Sequence, residues 1–135
     1  MGTSTNAILA FGFDIGEELP DSLLPEDEDE FFDFEEWLCG RLGLEWSEGR
    51  DDDYWLKRRA AIEAFPVDLV AHCSGDYPMY FLAVRGTEST ALRGTPQRVQ
   101  LTPPSEAAII CMREFCAEHG IEWREPDWHI FSMWH

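Results

Sequence analysis

The chain has 135 residues, enough for one domain with one core, and its 44% apolar and 13% aromatic content excludes a disordered polyelectrolyte despite a formal charge of -17. That charge repels nucleic acid and anionic membrane, which excludes direct binding to either, and it attracts cations and basic protein surfaces. No stretch approaches the ~20 apolar residues that span a bilayer, and the opening lacks the basic n-region of a secretion signal.

In chain order, Leu9, Phe11, Phe13 and Ile15 alternate with Ala10, Gly12 and Asp14, the pattern of a first strand. The two prolines in "EELPDSLLPE" predict a loop over 17–26. A helix from about Glu30 to Leu42 follows, capped by Asp29 or a neighbour, with Phe31, Phe34, Leu38 and Leu42 as its apolar stripe and Gly43 as its stop. A second, short helix is expected from about Asp53 to Ala64, ended by Pro66. In "VDLVAHCS" the residues Val67, Leu69, Ala71 and Cys73 point inward, and "GDYP" turns the chain into the strand "MYFLAVRG", making a hairpin.

The polar stretch 87–104 reads as a loop in which Arg98 to Leu101 offer a short edge strand. Ser105 then caps a helix with Ala108, Ile109, Met112, Phe115 and Cys116 on one face and Gly120 as its stop. In the last strand Trp128, Ile130 and Trp134 alternate with His129, Phe131 and Met133. Apart from the extra short helix the order is β-α-β-β-α-β, so the expected fold is α+β, a ferredoxin-like split sandwich with an antiparallel sheet, as a single domain.

The charge is local. Residues 14–53 hold 17 acidic residues against two basic ones, Arg41 and Arg50, while residues 54–135 hold 10 acidic and 8 basic. Carboxylates attract hard cations, but "DEDEFFDFEEWL" has Phe where a calcium loop needs its Gly and Leu where it needs its Glu. The cysteines Cys39, Cys73, Cys111 and Cys116 include no C-x-x-C pair and sit in apolar contexts, which predicts core thiols in a reduced compartment. His72 and Cys73 are neighbours on a strand and point to opposite faces, so they do not share a zinc ion. Cys73 also lacks the glycine elbow and orienting acid of a nucleophile, and no phosphate-binding glycine loop is present. No catalytic residue, metal or cofactor is assigned. Lys57, Arg58 and Arg59 are expected to pair with neighbouring acids, and the turn at Asp76 and Tyr77 needs no purpose beyond turning.

The stretch "PEDEDEFFDFEEW" is the functional lead. With the helix stripe assigned to other residues, Phe32 and Trp37 lie among carboxylates as anchors for a basic partner surface. The candidate partner-binding set is Glu26, Asp27, Glu28, Asp29, Glu30, Phe32, Asp33, Glu36 and Trp37, joined by Asp51, Asp52 and Asp53. The structural alternative is that Phe32 and Trp37 fill a second layer with Tyr54 and Trp55 while the acid only solvates.

At "NAILAFGFDIGEELP", "VDLVAHCSGDYPMYFLAV" and "DWHIFSMW" the chain resembles small uncharacterised acidic proteins of bacteriophages and prophages. The resemblance implies a setting in a host cytoplasm in which acidic proteins inhibit nucleic-acid-binding defences, of the anti-restriction or anti-CRISPR type; it transfers no functional residue. Three roles are thus expected: a non-enzymatic nucleic-acid mimic that occupies the basic groove of a host nucleic-acid-binding protein; a small metal-dependent hydrolase using Asp and Glu of the acidic segment; or a phage assembly component that pairs with copies of itself, for example as a homodimer.

Overall fold

A computed structural model describes residues 4–24, 32–44 and 52–134. It is α+β: β1 (Thr5–Gly16), a 3-10 turn (Asp21–Leu23), α1 (Phe34–Arg41), α2 (Asp52–Ala64), β2 (Val67–Ser74), β3 (Pro78–Val84), β4 (Ser89–Ala91), α3 (Glu106–His119) and β5 (Asp127–Trp134). Among the described residues no helix is long and apolar enough to cross a membrane.

β1 organises the sheet because its two faces differ in size. Its large face, Phe11, Phe13 and Ile15, packs with Val67, Leu69, Leu82, Met112 and Phe115 into the main core under the helices. Its small face lets the sheet curl over a second core of Ala10, Phe81 and Ala83, closed by Val70 and Phe131, whose ring stacks on Phe81 at 4.5 Å. β5 runs antiparallel to β1 from Thr5↔Trp134 to Gly12↔Asp127, and on the other side of β1 sit β4 (Ala7↔Ala91) and β3 (Gly12↔Ala83). β2 pairs with β3 from Val67↔Val84 to Cys73↔Pro78.

The sheet is mixed, not antiparallel as the sequence predicts. Cys73 and Ser74 meet Met133 and Trp134 in parallel, and the Gly75 N–H donates to the Trp134 carbonyl at 3.1 Å. Cys73 takes φ 73°, in the left-handed region that costs a residue with a side chain about 1–2 kcal/mol. This kink turns the end of β2 toward β5, so the strand order is β3-β2-β5-β1-β4 with β3 also on β1. The curl explains a second correction. Val67 and Leu69 are buried, but Ala71 and Cys73 are exposed, and it is His72 that is covered, with its ring 5.0 Å from Phe131.

The edge strand also moves. Thr87 Oγ1 accepts from the Phe11 N–H (3.1 Å) and donates to the Val84 carbonyl (2.6 Å), which carries the chain from β3 straight into β4. The β1 edge is then taken, and Arg98 to Leu101 stay irregular and exposed. Of the four thiols, Cys39 and Cys116 are buried as expected and Cys73 and Cys111 are exposed. The terminators act as read: Ser105 Oγ accepts from the Ala108 N–H and Gly120 closes α3 at φ 69°.

Candidate functional site

The aromatic residues of the predicted binding set face inward. Phe32 is half-buried, edge-on to Tyr80 at 5.9 Å and tilted against Phe34 at 6.4 Å. Trp37 stacks on Phe34 at 5.6 Å, meets Phe115 edge-on at 6.2 Å and donates its Nε1–H to the Ser22 carbonyl at 3.0 Å. Both belong to the layer between α1 and the sheet. The helix shows why: α1 starts at Phe34 with Phe34, Leu38 and Cys39 buried, and Leu42, assigned to the stripe, is exposed.

The described acids of that set have local uses. Asp33 caps α1 by accepting from the Glu35 and Glu36 N–H groups, a contact worth about 1 kcal/mol. Glu36 pairs with Arg58, whose guanidinium also lies 5.7 Å over the Trp55 ring. Asp52 and Asp53 are exposed in the first turn of α2, where Asp53 pairs with Lys57 at 3.1 Å. Glu26, Asp27, Glu28, Asp29, Glu30 and Asp51 lie outside the described residues.

A different concave surface gathers acid. A cleft of about 700 Å³ opens between the end of β1, the 3-10 turn and the segment after α3, and Asp14, Glu18, Asp21, Glu118 and Glu122 line it beside Arg124. Its floor is Phe13, Ile15, Leu19 and Ile121. Asp14 is further engaged by His72 Nε2 at 2.7 Å. Sequence reading found the first three acids as part of the charged segment but not Glu118 and Glu122. The available signal was Gly120 between them, which by ending α3 turns both toward the same opening.

His119 holds the cleft wall together. Its side chain is 4% exposed, and Arg41 Nη1 lies 3.1 Å from Nε2. A guanidinium only donates, so Nε2 accepts and the proton sits on Nδ1, which donates to Ser22 Oγ at 2.6 Å. The imidazole thus ties the 3-10 turn to α1 and α3, while Arg41 also pairs with Glu118 and lies 5.5 Å over the Trp37 ring. Burial pushes the His119 pKa down, Glu118 opposes this and Arg41 reinforces it. The unfolded chain therefore takes up the proton first, and stability falls as pH drops below the ordinary histidine value of about 6.5 until the lowered folded value is passed. We expect urea-unfolding midpoints to drop between about pH 7 and about pH 5. In His119→Gln that component should vanish; an unchanged slope would mean that the imidazole is not buried neutral.

Among the described residues no three His, Cys, Asp or Glu side chains come together as a metal site. The chain matches no family model, no curated protein and no solved structure.

Proposed function

We propose that the protein is a non-enzymatic acidic binding protein that occupies a basic groove of a host nucleic-acid-binding complex, as an inhibitor or nucleic-acid mimic. The observation that carries this reading is the cleft, where five carboxylates surround an apolar floor. An apolar floor gives a docked side chain somewhere to lose water, and the surrounding charge steers a basic partner. The resemblance of "NAILAFGFDIG" to phage proteins supports a partner in the host cytoplasm. A ferredoxin-like origin of the fold belongs to the same proposal, supported by the antiparallel ladders β5–β1, β1–β3 and β3–β2.

The test is displacement of labelled duplex DNA from purified host DNA-binding defence proteins, repeated across a salt series. Displacement should weaken as salt rises, and a Glu18→Gln, Asp21→Asn, Glu122→Gln variant should lose about tenfold in potency with a shallower salt dependence. Salt-insensitive displacement, or a triple variant as potent as the wild type, removes the basis of the reading.

A second reading, self-assembly, is favoured by one surface. Ile130 is 79% exposed in the middle of β5 and shares one concave patch with the exposed Val99, and residues 89–105 contain Arg93 and Arg98 but no acid. Association through that surface would strengthen with salt as repulsion between the acidic bodies is screened, the opposite sign to partner binding, and sedimentation velocity reads it directly.

A further inference from the structure

Asp68 of β2, Arg85 just after β3 and Glu88 just before β4 put two carboxyls and one guanidinium into one partly buried cluster. Arg85 is already committed: its Nε donates to the Phe65 carbonyl at 2.7 Å, its Nη2 to the Val67 carbonyl at 3.3 Å, and Nη2 lies 3.7 Å from Asp68 Oδ1. Asp68 Oδ1 accepts from the Leu69 N–H at 2.9 Å. Glu88 Oε1 is buried and has no hydrogen-bond partner among the described residues. Were both carboxyls ionised, one negative charge would exceed what Arg85 balances, in a place water does not reach freely.

We propose that Asp68 and Glu88 form a proton-operated latch, in which one shared proton holds the turn after β3 against β2 and so seats the edge strand β4 on β1. The charged groups acting on Glu88 are Asp68 and Arg85, and Arg85 also lines a cleft with Arg59 and Glu63 of α2. Burial, the hydrogen bond to Asp68 and the Asp68 charge raise the Glu88 pKa to about 8, with Arg85 pulling the other way. At neutral pH the Glu88 carboxyl donates to the Asp68 carboxylate. When the proton leaves, the two anions repel and the cheapest relief is for Glu88 to swing into water. Thr87, bonded to the Phe11 N–H and the Val84 carbonyl, stays as the pivot; Ser89 lies beyond it, and β4 itself is held to β1 by three residue pairs, Ala7↔Ala91, Ile8↔Thr90 and Leu9↔Ser89, so the strand swings out with Glu88. The opened edge uncovers Ile8, which is buried in the closed state.

Hydrogen exchange read by mass spectrometry at about pH 6 and about pH 9, corrected for the base-catalysed chemical rate, tests the latch on the whole chain. Fragments covering Ser89–Ala91 should lose protection about tenfold or more at the higher pH while the β2–β3 hairpin keeps its own. Glu88→Gln, whose amide imitates the protonated acid, should abolish the difference. A carbon-13 carboxyl titration should place Glu88 near 8. A midpoint in the ordinary carboxylate range, loss of protection in the hairpin and β4 together, or a Gln variant that opens like the wild type would each overturn the proposal.

Discussion

Gly12→Ala is expected to remove about 3 kcal/mol or more of stability, a large share of the roughly 5–15 kcal/mol of an ordinary domain. A Cβ at Gly12 would stand 1.9 Å from the Leu82 carbonyl oxygen and 3.0 Å from the Ala83 Cα. Both are backbone atoms in the ladder that joins β1 to β3, so neither can swing aside as a side chain would. Relief would need β1 and β3 to part, which opens both cores, since Phe13 and Leu82 belong to one and Ala10 and Ala83 to the other. Circular dichroism with urea titration measures the effect. Gly75→Ala is the matched control, because its Cβ meets nothing within 4 Å, and it should stay within about 0.5 kcal/mol of wild type. A Gly12→Ala protein with an unaltered midpoint would show that β1 and β3 do not approach in this register.

Phe34→Ala should cost about 3–5 kcal/mol, the range for emptying a buried aromatic site. Phe34 is 5% exposed and its ring lies within 6.4 Å of Phe32, Trp37, Phe65 and Phe115, so truncation removes the shared contact of four rings at once. These rings come from the residues leading into α1, from α1 itself, from the segment after α2 and from α3, and they cannot all collapse toward one vacancy. Leu42→Ala, on the same helical stripe by sequence, should move the midpoint by less than about 0.5 kcal/mol because Leu42 is exposed. Equal losses at the two positions would return α1 to the orientation read from periodicity. The same experiment bears on function: if Phe32 and Trp37 were anchors for a partner, truncating the residue they pack on would matter less for folding.

What was legible in the sequence was whatever is enforced locally. Alternation gave β1, Ser105 and Gly120 bounded α3, and Pro66 and the Gly75–Pro78 turn framed the hairpin, since caps, φ limits and period act over a few residues. The α1 stripe holds at Phe34 and Leu38 and fails at Leu42, with Phe31 outside the described residues, because a three-to-four spacing is shared by neighbouring faces and a helix of eight residues is oriented by what it packs on. The curl of the sheet was hidden: nothing near Cys73 announces a left-handed residue without glycine, and the bridge to Met133 joins positions far apart. The cleft was hidden for the same reason, since Glu18 and Glu122 meet only after β1 and α3 are placed. Charge density along the chain pointed to the neighbouring segment, where the described carboxylates Asp33, Glu36 and Asp53 serve as a cap and ion-pair partners on α1 and α2.

The pairing of Thr5 with Trp134 has a kinetic cost. Every rung of the longest ladder closes a loop of more than a hundred residues, so the entropy of bringing the ends together is spent before that pairing stabilises anything. Until β5 is in place β1 can pair with β3 and β4 alone, and its other flank stays open. That ladder is therefore expected to close late and to slow folding for a chain of this length, and the acidic residues between the two strands keep partly folded chains apart by mutual repulsion.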